Sequence, residues 1–242
     1  MKKRNPSKHA LPAALLILSA AIFTWAQDQP ATKQNARPDS VSVPKKNDGP
    51  KADAVKYSYE FSQPKFYIKH ILLEHDATGH GTITFERMNE DVPVVEPIAL
   101  STTAMARITS LWSALQFLDS AADYQSSKQF PHLGTMRIGM QAGDRKRVAE
   151  FNWTHDANAS ALVTEYRRVA DQAILVFDIS VARENQPLNA PKLMEAMESL
   201  LKRDGLSDPR QLVPLLQEMS TDEHIPLMAR NHALRIIKLI QK

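Results

Sequence analysis

The stretch "YIKHILLEHDATGHGTITFER", Tyr67 to Arg87, constrains the fold more than any other part of the chain. Alternating residues run up to and away from "DATGHG", which supplies Asp76, Gly79 and Gly81 for a reversing turn. Side chains alternate faces along a strand, so a period of two around turn residues predicts a β-hairpin. On its first arm Phe66, Ile68, His70 and Leu72 share one face, and Tyr67, Lys69, Ile71 and Leu73 the other. On its second arm Ile83 and Phe85 oppose Thr82, Thr84 and Glu86. The preceding "YSYEFSQ" alternates in the same way and reads as a further strand.

After a proline-containing connection the period changes. From a Ser101 cap, Met105, Ile108, Leu111, Trp112, Leu115 and Leu118 recur at spacings of three and four, the stripe of an amphipathic helix. "GTMRIGMQAGDRKRVAEFNW" returns to alternation through Met136, Ile138 and Met140, turns at Ala142-Gly143-Asp144 and continues through Ala149, Phe151 and Trp153, the last two read as core. Asn158 then caps a long helix carrying Leu162, Tyr166, Val169, Ala173, Val176 and Phe177. Hairpin, helix, hairpin, helix predicts an α+β domain over residues 56–187, an antiparallel sheet from two hairpins with helices packed on one face. Residues 188–242 predict an all-helical C-terminal extension, with Pro191 opening one helix, Gly205 closing it and Asp208-Pro209 opening the next.

Two resemblances attach to these residues. "DPRQLVPLLQEMSTDEHIPLMARNHALRIIKLIQ" places Leu212, Val213, Leu215 and Leu216 on one helix, Asp222-Glu223 at a turn, and Ile225, Ala229, Ala233 and Leu234 on a second. The pair, residues 208–242, resembles a single HEAT-type repeat. Such repeats bury their faces by stacking, so a lone copy implies docking on the α+β domain or on a partner. More loosely, Tyr67 to Val169, with its glycine-turn hairpin, its helix opening in "LS", "FLDSAADY" and a basic second hairpin, resembles small uncharacterised exported bacterial α+β domains. That likeness implies a fold pattern and no activity.

The N-terminus speaks to location. Lys2, Lys3, Arg4 and Lys8 precede an apolar run from Ala10 to Phe23 and then Thr24-Trp25-Ala26, the layout of a secretory signal peptide over residues 1–26, cut after Ala26. The run is shorter than the roughly 18 residues of a membrane-spanning helix, so no stable span is expected after cleavage. An uncleaved segment would act as an anchor. Removing the signal takes four basic and no acidic residues, leaving 26 basic against 27 acidic, and the apparent excess of base that would suit nucleic acid disappears. Residues 27–55 are rich in Pro, Asp, Lys, Asn and Ser without an aromatic residue, and read as a disordered linker. The chain has no cysteine, so neither disulfides nor thiolate metal sites are available. A periplasmic or secreted bacterial protein is expected.

For chemistry, the opening hairpin holds the densest cluster: His70, His75, Asp76 and His80. His70 and His75 differ by an odd number and must point to opposite faces of a regular strand. His75, Asp76 and His80 flank the turn and offer a two-His-one-carboxylate set of the kind that holds zinc or iron, while the plainer reading is polar residues at a hairpin tip. No G-x-S-x-G elbow, H-E-x-x-H helix or glycine-rich phosphate loop occurs. Glu86 with Glu90-Asp91, and Asp171 with Asp178, read as solvated charges, and Arg145-Lys146-Arg147 as a charged edge that discourages strand pairing between molecules. The expectation is a non-enzymatic interaction or scaffold module of the cell envelope with a protein partner and no cofactor. The alternative is a metal-dependent envelope hydrolase on His75, Asp76 and His80. A binder of small ligands or polysaccharide in a cleft between sheet and helices fits the same sequence.

Overall fold

Every second residue of the strand at Lys56–Ser62, β1, is buried, Tyr57, Tyr59 and Phe61 pointing to one side. β1 pairs antiparallel with β2 (Ile68–Asp76) and β5 (Thr135–Ala142), β2 with β3 (His80–Arg87), β3 with β4 (Val94–Ala99), and β5 with β6 (Arg145–Phe151). The result is a six-stranded antiparallel sheet in the order β4-β3-β2-β1-β5-β6. The structure is a computed structural model that describes residues 55–242, all within one compact unit, Asp48–Lys242. The signal, and the linker apart from Val55, lie outside the described residues.

Both predicted hairpins are present, and the fold is α+β with a helical C-terminal region. The core face of β2 is that of Ile71, Leu73 and His75. A register shift between Ile68 and His70 turns Ile68 onto the same side, opposite Arg87, so the first arm does not keep the regular parity expected of it. "VVEPIA", taken as a connection, is the edge strand β4; Pro97 is tolerated there because an outer edge needs no N–H on its free side.

Helix α1 (Thr102–Leu115) begins where Ser101 Oγ accepts from Ala104 N at 3.1 Å. It ends before the predicted Leu118, because Gln116 turns into the left-handed region at φ 45°. Helix α2 (Ala157–Asn185) is capped by Asp156, whose carboxylate accepts from Ala159 N at 2.8 Å, and not by Asn158, which lies inside the first turn. An aspartate held extended just outside the helix reaches the free N–H groups, whereas a residue already in the helix cannot.

Two buried clusters share α2. Leu162, Tyr166, Val169, Ala170 and Ile174 pack with α1 against the core face of the sheet. Leu175 and Ile179 pack against α3 (Ala190–Lys202), α4 (Val213–Thr221) and α5 (Leu227–Ile240) through Met194, Met197, Leu216, Met219, Ala233 and Ile236. Leu234, placed on the buried stripe by its spacing, faces out. Phe151 is buried, whereas Trp153, also expected in the core, is 43% exposed and packs edge to face on the rim aromatic Phe130 at 5.5 Å.

The other face of the sheet carries a ladder of charged and polar side chains. Glu86 meets Lys69 at 3.3 Å and His70 at 3.4 Å, His70 meets Glu60 at 3.0 Å, and Arg137 joins Glu60 to Glu150. Cross-strand pairs of opposite sign suit a solvated face of an antiparallel sheet.

Candidate functional site

The hairpin histidines go to different places. His70 stands on the charged face and His75 on the core face, as their odd separation requires. His75 is 3% exposed, so the reading of it as a polar tip residue is corrected: its ring continues the apolar side of β2 inward and stacks on Tyr57 at 5.1 Å. Its Nδ1–H donates to the carbonyl of Asp76 at 2.8 Å, its Nε2 accepts from the Tyr166 hydroxyl at 2.9 Å, and that oxygen accepts from Trp112 Nε1–H at 3.0 Å. Burial first, with the Asp76 carbonyl opposing it, holds the imidazole below its ordinary range, which suits this neutral tautomer. Burial likewise pushes the Tyr166 phenol up, so it stays a hydroxyl.

Asp76 and His80 are engaged at the turn. The Asp76 carboxylate accepts from Thr78 N at 2.8 Å, Thr78 Oγ1 at 2.6 Å and His80 N at 3.1 Å, which lowers its pKa chiefly through the Thr78 hydroxyl. His80 Nδ1 lies 2.9 Å from Thr78 Oγ1. The three side chains are not turned to a common point, and no group of three or more His, Cys, Asp or Glu among the described residues is placed to hold a metal ion.

A different site is formed where the core reaches the surface. Between α2 and the β1–β2 loop lies a groove of about 560 Å³ lined on the sheet side by Tyr59, Phe61 and Ile71, on the helix side by Arg167, Ala170, Asp171 and Ile174, and at its lip by Lys65, Phe66 and Tyr67. Phe66 is 44% and Tyr67 62% exposed, although the residues beneath them are buried. Pockets that hold small molecules have this character, apolar walls with a few converging polar groups in roughly 300–1,000 Å³.

The loop is held in place from both sides. Gln63 is buried and its amide donates to the carbonyls of Pro131 and His132 at 2.9 and 3.0 Å, while its backbone carbonyl receives Phe66 N at 3.0 Å. Tyr67 O accepts from Met88 N at 2.8 Å. Gly134, at φ +91°, lets the chain pass under Phe61; a Cβ there would lie 2.6 Å from the ring. The lip aromatics are therefore exposed by a stapled loop.

Its polar groups converge from two elements. The Arg167 guanidinium lies over the Phe61 ring at 5.2 Å. Tyr59 is fully buried and stacked on Tyr166 at 5.4 Å; the Arg167 guanidinium is the polar group beside its hydroxyl, whose O–H has no acceptor. Burial raises its pKa, Arg167 opposes that and Asp171 adds to it, so both charged groups of the groove act on this phenol. None of these residues formed a motif in sequence; the signals were the adjacent aromatics Phe66 and Tyr67 in a proline-containing loop and an arginine one turn before Ala170 and Asp171.

Several charged side chains serve the fold. Glu90, exposed as read from the sequence, and the half-buried Asp178 both pair with the buried Arg87, which lies over the rings of Phe85 and Phe177. Arg147 of the basic run donates to the carbonyls of Phe117 and Ala122 and covers the Phe117 ring at 4.6 Å. No described helix is long and apolar enough to cross a membrane. Neither a protein-family model nor a curated protein matches this chain.

Proposed function

We propose that the chain is an exported, non-catalytic binding module of the bacterial cell envelope, and that the groove between α2 and the β1–β2 loop is its ligand seat. The observation that carries this reading is an opening onto the main core, walled by buried Phe61, Ile71 and Ile174 and edged by exposed Phe66 and Tyr67 on a stapled loop. An apolar surface left open beside a rigid aromatic lip loses hydrophobic stabilisation in the free protein and recovers it when a ligand covers it. The signal-like N-terminus supports the envelope setting. The C-terminal pair, with Leu227, Met228, Leu234 and Leu239 on the outer side of α5, supports a protein partner in the HEAT-like reading. The hydrolase reading is not carried forward, because His75, Asp76 and His80 each satisfy the fold around them.

A neutral environment-sensitive dye such as Nile red tests the seat. The exported protein is expected to bind it saturably at one site, and Phe66→Lys with Tyr67→Ser to weaken it at least tenfold while circular dichroism stays unchanged. Undiminished binding by the folded double variant would place the ligand elsewhere.

A further inference from the structure

We infer that the ligand of this groove is a small apolar carboxylate, an alkyl or aryl body with one anionic head. This rests on the groove being a ligand seat and adds the chemical class. The body is set by the walls, which are hydrocarbon and aromatic ring. The head is set by what is left unmatched among the polar groups. Tyr59 carries a buried hydroxyl whose O–H finds no acceptor within the protein, and a buried donor without a partner is costly unless something completes it. Arg167 is the charged neighbour that both borders the groove and acts on that phenol. A carboxylate is an acceptor with lone pairs enough for both, taking O–H from Tyr59 and N–H from Arg167, and charge-assisted bonds of this kind are the strong ones.

The charges at the mouth point the same way. Lys65 and Arg167 are cationic and Asp171 is the one acidic lining group. Arg167 is an exposed side chain lying over Phe61 at the border of the groove, where its guanidinium can meet a head seated beside the Tyr59 hydroxyl. A cationic head would leave the Tyr59 hydroxyl without an acceptor and face two like charges. A neutral head would forgo the charge-assisted bond.

The test is calorimetric titration of the exported protein with decanoate and 3-phenylpropionate as alkyl and aryl acids, and with decan-1-ol and decyltrimethylammonium as head-group controls, all below their aggregation concentrations. At least one acid is expected to bind ten times more tightly than decanol, about 1.4 kcal/mol, with the cation weakest. Arg167→Gln should erase the advantage of the acid over the alcohol. Tyr59→Phe should weaken acid binding several-fold while leaving the melting temperature unchanged or higher, because it removes a buried O–H that has no acceptor in the free protein. That opposite movement of affinity and stability is what a merely structural tyrosine would not produce. Equal affinity for acid and alcohol would overturn the carboxylate assignment and leave the seat intact. Preference for the cation would make Asp171 the recognising group and also overturn it. Binding of none of the four by a protein that also fails to bind Nile red would remove the seat itself.

Discussion

The chain His75–Tyr166–Trp112 joins β2, α2 and α1 through one hydroxyl, and the Tyr166 O–H has its acceptor, His75 Nε2, only while the histidine is neutral. Tyr166→Phe leaves the Trp112 N–H and the His75 Nε2 buried without partners, and should cost about 1–3 kcal/mol, read as a lower denaturant midpoint at unchanged slope. The same geometry gives a pH dependence. The folded pKa of His75 is depressed, so the unfolded chain takes up a proton first as the pH drops below about 6.5. The stability due to neutral His75 is therefore fully present above that pH and is lost as the pH falls toward the folded value, by up to about 1.4 kcal/mol per unit. Between pH 7 and pH 5.5 the wild type should lose more stability than His75→Gln; equal losses would assign the effect to other groups.

At the scale of elements, the basic run on β6 shows how one stretch serves two demands. β6 is an edge strand, the position at which cations serve to discourage pairing between molecules. Arg147 has a further role, because the segment from Gln116 to Phe130 has no repeating backbone ladder and depends on struts. Arg147 supplies one, to the carbonyls of Phe117 and Ala122, and the exchange between Gln125 and Asn152 supplies another, Asn152 N reaching Gln125 Oε1 at 2.9 Å. Arg147→Ala should speed amide hydrogen exchange across residues 117–126 at least tenfold and leave the sheet amides protected. Arg147→Lys should rescue it only in part, since a single ammonium cannot reproduce the planar fork that spans two carbonyls or its stacking on Phe117. Uniform loss of protection would mean that the arginine supports the whole fold.

For the whole molecule, α2 decides cooperativity. One helix of 29 residues contributes its first half to the sheet core and its second half to the helical cluster, so neither cluster closes without it. A protein ending at Ser207 would uncover Leu175, Ile179, Met194 and Met197, each worth about 1.5–3 kcal/mol when buried. Against a typical stability of roughly 5–15 kcal/mol, that truncation should aggregate or melt far below the full protein. Leu216→Ala, at a fully buried position, should cost about 2–5 kcal/mol and lower one single transition. Two separate transitions, with the first alone shifted, would show the helical region to be an independent unit.

What the sequence determined by itself is the set of elements whose signal is local. The period-two runs around Gly79 and Gly143 and the three-four stripes of α1 and α2 specify the hairpins and helices, because side-chain geometry within an element depends only on its own backbone. Ser101 was legible as a cap for the same reason. What only the tertiary structure decided is which face is inside and what each polar group meets. The shifted register at Ile68, the edge strand built on Pro97, the inward turn of His75 onto Tyr166, and the clamp on Arg87 all depend on partners up to 91 residues away in sequence. The groove belongs wholly to this second kind. Tyr59, Lys65 and Arg167 come from a strand, a loop and a helix, and their convergence is a property of how α2 crosses the sheet, which no spacing along the chain encodes.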